Sequence, residues 1–156
     1  MNITIRAAGL IKSGPERDLV DDYLNRAGLI GRNIGFAKIS ESQVDIRAAK
    51  TRTDETRAVL AAAKPDDILV VLDEGGKALT SRQITKQLAN WRDDGMGNLV
   101  FAIGGADGFE PNALPVGAVK WQLGKPTWPH KLVRVMLAEQ IYRALSILAG
   151  TPYHRD

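Results

Sequence analysis

The apolar residues change their spacing several times along the chain, and each change marks an element. From Asn2 to Ala8 they alternate, with Ile3 and Ile5 on one face, which predicts a short strand. Ser13-Gly14-Pro15-Glu16 has the S-x-x-E form of a capping box, with proline early in the helix it opens. That helix should bury Leu19, Val20, Tyr23 and Leu24 and stop near Gly28. Asn33 to Ile39 is a second strand candidate, and residues 43 to 63 look helical up to Pro65. Asp67 to Leu72 is a continuous apolar run, as expected of a strand covered on both faces. Thr80-Ser81-Arg82-Gln83 is a second capping box, with Ile84, Leu88 and Trp91 at helical spacing beyond it. Asn98 to Ile103 predicts another buried strand, and residues 117 to 123 a last one. From Lys131 to Leu148, Val133, Leu137, Ile141, Leu145 and Leu148 form the apolar stripe of a helix, with Glu139 and Arg143 paired at i, i+4.

Strands alternating with helices predict an α/β fold, a mostly parallel sheet flanked by helices in a single domain over residues 1–156. Ligands of such sheets bind at the carboxyl ends of the strands. Two glycine-rich segments, 73–77 and 104–108, follow predicted strands and belong at that edge.

Composition narrows the function classes. The chain has 156 residues, 44% hydrophobic and 25% charged, as in ordinary soluble domains. With no cysteine, disulfides, thiolate catalysis and cysteine zinc sites are excluded, and a reducing, cytoplasmic setting fits. No apolar stretch is long enough to cross a membrane, and the N-terminus does not read as a signal peptide. The net charge is +3, with a pI near 9.3. Beyond residue 112 the bases are Lys120, Lys125, Lys131, Arg134, Arg143 and Arg155, against Glu139 and Asp156 alone. That imbalance suits either a solvated helix face or a surface turned toward phosphate.

Familiar nucleotide signatures are missing. Gly75-Gly76-Lys77 lacks the upstream glycine and the following Ser or Thr of a phosphate loop. Ile103-Gly104-Gly105-Ala106-Asp107-Gly108 is not a dinucleotide fingerprint, which leaves it as turn chemistry or as a close backbone approach to a ligand, and Asp107 as a possible helix cap. Two histidines and scattered carboxylates show no metal-ligand spacing. His130, just before the long helix, suits a cap, a core group or a ligand. The closing Tyr153-His154-Arg155 brings an aromatic ring, an imidazole and a guanidinium together. Such a set can stack on a base, move a proton and hold an anion, unless the tail simply frays.

Taken together, Ile103-Gly104-Gly105-x-x-Gly108, Pro129-His130 with Arg134, Glu139-Gln140, Tyr142-Arg143-Ala144 and the terminal Tyr153-His154-Arg155 resemble the ribosomal RNA large subunit methyltransferase H family. Leu72-Asp73 with Gly76-Lys77 adds to the likeness, which spans essentially the whole chain. The resemblance implies a SPOUT-type fold with a C-terminal trefoil knot, a homodimer, and S-adenosylmethionine as cofactor. It implies methylation at N3 of a pseudouridine in 23S ribosomal RNA of the assembled ribosome. Carried over by motif, the cofactor would be held by Leu72, Gly104, Gly105 and the loop Leu123, Gly124, Lys125, Pro126, Thr127, Trp128 and Pro129. His154, Arg155 and Tyr153 would be the catalytic group, with the tail beside the partner's cofactor, and His130, Arg134 and Arg143 would meet the substrate. No metal and no membrane are implied. The loop after Trp121 departs from the family, which usually carries serines and an apolar residue there. Pro126 has no N–H to donate, and Lys125 is placed to approach RNA phosphate. Three other readings are a SPOUT methyltransferase of another RNA, a non-catalytic ribosome-binding module, and a flavodoxin-like protein. The last lacks its phosphate loop in the first strand-to-helix connection.

Overall fold

The structure, a computed structural model, describes residues 1–155; Asp156, the last residue of the polar tail, lies outside them. Five strands form one sheet: β1 (Asn2–Ala8), β2 (Lys38–Val44), β3 (Ile68–Ala78), β4 (Asn98–Ile103) and β5 (Val119–Gln122). They lie in the order β2-β1-β4-β3-β5, and every pairing is parallel. Four helices cover the sheet: α1 (Pro15–Gly31), α2 (Arg52–Leu60), α3 (Ser81–Asp93) and α4 (His130–Leu148).

Alternation along the central strands divides the core. Ile3, Ile5, Val70, Leu99 and Phe101 face α1, α3 and α4, where they meet Val20, Leu24, Leu88, Leu137, Ile141 and Leu145. Leu69, Val71, Val100 and Ala102 face the other side, toward Val59 of α2 and Phe109. Burial on both faces is why β3 and β4 read as unbroken apolar runs. Arg6 of β1 ties the thinner layer down. Its guanidinium donates to the carbonyls of Ala58 and Val59 at 3.0 Å each, a cation at the carbonyl end of α2.

The strands Asn2–Ala8 and Asn98–Ile103 fall where the pattern puts them, and the Thr80 capping box is present, with Thr80 Oγ1 and the Gln83 side chain bonded reciprocally. The second strand does not begin at Asn33. Arg32–Ile34 forms a 3-10 turn, Gly35 is left-handed at φ 88°, and pairing starts at Lys38. Residues 43 and 44 finish this strand, and the helix expected over 43–63 begins only at Arg52. There Thr51 caps it by accepting from the Asp54 N–H. An edge strand with one wet face carries alternating polar residues, so Ser40-Glu41-Ser42-Gln43 carried no strand signal in the sequence. The Ser13 capping box is not formed either. Gly14 is the N-cap of α1, no side chain caps it, and the helix runs on to Gly31 rather than stopping near Gly28. Leu19, expected in the core, is 44% exposed.

Thr80→Ala should therefore lower stability by about 1 kcal/mol, whereas Ser13→Ala should change it by no more than about 0.5 kcal/mol. Urea denaturation of both variants checks this; equal losses would contradict the capping assignment.

Candidate functional site

The site begins where β3 overruns its neighbours. Leu72 and Lys77 both pair with Trp121 of β5, so residues 73–76 loop outward between them. Asp73 Oδ1 accepts the Gly75 N–H at 2.8 Å and shapes that loop. As the chain returns, Gly76 lies directly over β5. A Cβ there would stand 2.5 Å from the Trp121 carbonyl carbon and 2.7 Å from its nitrogen. Gln122 reinforces the crossing by donating to the Gly76 carbonyl at 2.7 Å. The segment Gly75-Gly76 is thus a backbone crossing within an extended strand.

Beyond the crossing, the carboxyl ends of β3, β4 and β5 enclose a cavity of about 400 Å³. Leu72, Ile103, Phe109, Trp121 and Leu123 give it apolar surface, and Asp73, Glu74 and Asp107 give it carboxylates. Gly104 and Gly105 form one wall. A Cβ on Gly104 would reach within 3.0 Å of the Gly108 backbone, and one on Gly105 within 2.5 Å of Glu55 Oε2. The loop after β4 is pinned to α2, since Arg52 donates to the Phe109 carbonyl and Glu110 N–H donates to Thr56 Oγ1 at 2.9 Å. Asp107 caps no helix; it lies in a turn closed by a Gly105–Gly108 bridge. The opposite wall is the loop after β5. There Gly124 is left-handed at φ 100°, Trp128 Nε1 donates to the Leu123 carbonyl at 3.1 Å, and Thr127 donates to Glu74 at 3.2 Å.

Of the residues assigned to a cofactor by resemblance, Leu72, Gly104, Gly105, Leu123, Gly124, Pro126, Thr127 and Trp128 line this cavity. Lys125 and Pro129 do not, and both are exposed. His130, assigned to the substrate, lines it as well. Its pKa is lowered by burial first, then by Arg134 and Lys131, so the ring is neutral at pH 7. Asp73, Glu74, Trp121 and Val133 also line the cavity although the sequence reading did not single them out as ligands. The position of Asp73 and Glu74 at a strand's carboxyl end was the available signal.

Arg134 is elsewhere and cannot serve as a substrate contact. It is 0% exposed, and its guanidinium donates to the carbonyls of Ala8 and Gly9, the latter at 2.7 Å. Glu41 pairs with it at 3.3 Å, and Arg17 binds the other oxygen of the same carboxylate. Arg134 thus fastens α4 to the ends of β1 and β2. On α4 its i+3 and i+4 neighbours, Leu137 and Ala138, are apolar, but those at i−4 and i−3 are His130 and Lys131, so the spacing did not distinguish a buried arginine from an exposed one.

The tail is docked rather than frayed, but it does not line the cavity. Tyr153 donates to Glu139 Oε1 at 3.0 Å and packs on Tyr142, with ring centroids 4.5 Å apart. Burial, then hydrogen bonding with Tyr23 and Glu139, raises the Tyr153 pKa, so its phenol keeps its proton. Arg143 pairs with Glu139 at 2.5 Å and donates to His154 Nδ1 at 3.2 Å. Arg143 is therefore a tail anchor within this chain. Arg155 is exposed. Glu139 also lines a groove of about 510 Å³ between α1 and α4, walled by Leu19, Tyr23, Leu79 and Met136. Leu123 and Gly124 line both this groove and the cavity. Among the described residues no group of three His, Asp or Glu could hold a metal, and no helix is long and apolar enough to cross a membrane.

A family model described as "Predicted SPOUT methyltransferase" matches residues 1–154. A protein of Maricaulis maris named ribosomal RNA large subunit methyltransferase H is 54% identical over 156 residues, covering all of both chains. One of Hyphomonas neptunium with the same name is 46% identical, covering 99% of each.

Removing the buried guanidinium leaves two carbonyls without their partner and Glu41 with Arg17 alone, so Arg134→Ala should cost about 3–5 kcal/mol. Urea denaturation measures it. Unchanged stability together with weakened RNA binding would return Arg134 to the substrate surface.

Proposed function

Because this chain belongs to the SPOUT methyltransferase family, we propose that it transfers a methyl group from S-adenosylmethionine to N3 of a pseudouridine in 23S ribosomal RNA. The observation that carries this reading is the cavity at the carboxyl edge of the sheet. It combines glycine-backed walls, an apolar slot and carboxylates around one space. A nucleoside bearing a sulfonium and an ammonium needs those three things: close backbone for the base edge, apolar surface for the ring, and negative groups for two positive charges. Leu72, Ile103 and Leu123 would hold the base, and Asp73, Glu74 and Asp107 are the counter-charges at hand. When bound, S-adenosylmethionine supplies an electrophilic methyl group.

The chain's own residues must remove the N3 proton, because the neutral imide nitrogen is a poor nucleophile. His154 is the proton acceptor in this reading, and Arg155 steadies the resulting anion. Arg143 donates to His154 Nδ1 in the single chain, so proton acceptance requires the tail to shift off Arg143. Tyr153, kept protonated first by burial and then by its bonds with Tyr23 and Glu139, positions the tail rather than acting as a base. His130, neutral at the mouth of the cavity, shapes the entrance for the target nucleotide.

The reading includes a homodimer, a C-terminal trefoil knot, a single methyltransferase domain, a cytoplasmic location and the assembled ribosome as the setting of the substrate. The groove between α1 and α4 supports the dimer, since it is apolar, open and bordered by Glu139, which anchors the tail. A second copy seated there would lie beside loop Leu123–Gly124, so each tail could serve its partner's cavity.

Labelled S-adenosylmethionine with ribosomes lacking the modification should yield one methylated pseudouridine, located by mass mapping; no transfer would overturn the reading. His154→Ala should abolish most turnover with unchanged S-adenosylmethionine affinity in calorimetry. Mixing it with a cavity variant, Gly105→Leu, should restore about a quarter of wild-type turnover, because half of random two-fold dimers are mixed and hold one intact site. No restoration would show that tail and cavity of one chain work together.

A further inference from the structure

The first turn of α4 separates two openings. His130 lines the cavity described above, and the next residue, Lys131, lines a second cleft of about 340 Å³. The other walls of this cleft are the loop Gly9–Ser13 after β1 and the loop Asp45–Arg47 after β2. Three separate segments each bring one cation to it: Lys12, Arg47 and Lys131, all exposed. The single acid of its lining, Asp45, is already engaged by Arg47 at 2.5 Å. Neither Lys12 nor Lys131 has a carboxylate at ion-pair distance among the described residues. The helix adds to this charge. α4 starts with no side-chain cap and no acid in its first turn, so the positive end of its dipole lies beside Lys131 uncompensated. Asp45 is held at about 2, chiefly by hydrogen bonds from Arg47 with a smaller pull from Lys12, and His130 is lowered by burial and then by Arg134 and Lys131.

Bringing like charges together at a helix start weakens the fold slightly, and an anionic ligand reverses that cost. We propose that the cleft between Lys12, Arg47 and Lys131 binds the phosphodiester backbone of the RNA strand whose target base enters the adjoining cavity. This assignment rests on the methyltransferase reading for the identity of the strand. The cleft positions the substrate and takes no part in proton or methyl transfer. It meets phosphate alone, so it supplies affinity and register rather than base recognition. Even with Arg47 shared with Asp45, the cleft stays net positive, which matches a flexible polyanion better than a folded acidic protein, whose carboxylates would have to meet three independent segments.

The test reads binding apart from chemistry. Wild type, the double variant Lys12→Glu/Lys131→Glu and a control, Lys64→Glu in the turn before β3, are titrated in a potassium chloride series. The probes are ribosomes lacking the modification and a short single-stranded RNA. All three altered side chains are exposed, so the variants should fold. The double variant should bind both probes at least about tenfold more weakly, with a salt slope shallower by about 0.7 for each phosphate it no longer neutralises. Its KM for ribosomes should rise, while kcat at saturation and S-adenosylmethionine affinity stay at wild-type values, and Lys64→Glu should match wild type throughout. Unchanged affinity and slope would overturn the proposal, as would a loss confined to ribosomes, which would assign the cleft to a ribosomal protein. If wild type transfers no methyl group yet the double variant still loses RNA binding, the methyltransferase reading fails and the phosphate cleft stands.

Discussion

At Gly76 one strand's backbone lies against another's, and no side chain fits between them. A Cβ there would overlap the Trp121 main chain at 2.5 Å. That close approach lets β3 pair with Trp121 twice, through Leu72 and again through Lys77, and so throws Asp73 and Glu74 out over the carboxyl edge of the sheet. It also fixes Trp121, which is 3% exposed and stacks on Trp91 with ring centroids 5.9 Å apart. From Trp121 onward the chain has only one way to go. Gln122 is tied to the Gly76 carbonyl, Gly124 turns the loop, Trp128 closes it on Leu123, and α4 starts at His130. Two walls of the cavity thus follow from one meeting of main chains.

Charge is then divided by the start of α4. On one side the cavity offers Asp73, Glu74 and Asp107, suited to a cationic donor. On the other the cleft offers Lys12, Arg47 and Lys131, suited to a polyanion. Arg134, buried one turn into the helix, holds the divide in place by gripping the carbonyls that end β1 and the carboxylate of Glu41 in β2. The helix cannot shift relative to the sheet edge without exposing or orphaning that guanidinium, which is why both sites keep a fixed relation.

What the sequence revealed follows from how each residue is used. β1 and β4 are central strands, announced by the alternation of Ile3 and Ile5 in one and by the apolar run Leu99–Ile103 in the other. β2 is an edge strand whose Glu41 serves two arginines, so its polar pattern left it divided between a strand expected to end at Ile39 and a helix expected to begin at residue 43. The Thr80 box was legible because both of its reciprocal bonds are local. The Ser13 box failed because Gly14 takes a left-handed φ of 105° and displaces serine from the capping position. Gly104 and Gly105 stand out in the sequence by motif, and the structure shows what a side chain at either would meet, the Gly108 backbone and Glu55. Gly76 follows a predicted strand in the sequence, but spacing cannot reveal which distant backbone a glycine will meet. The tail was singled out for its chemistry, and its anchoring by Glu139 and Tyr142 depends on tertiary packing that local sequence does not encode.

Whether the crossing builds the cavity is decided by calorimetric titration of Gly76→Ala with S-adenosylmethionine beside wild type. Wild type should bind one molecule per chain. The methyl group added at Gly76 should force β3 off Trp121 and weaken binding by at least about tenfold, or 1.4 kcal/mol. A Gly76→Ala protein that binds S-adenosylmethionine as tightly as wild type would show that the cavity does not depend on that crossing.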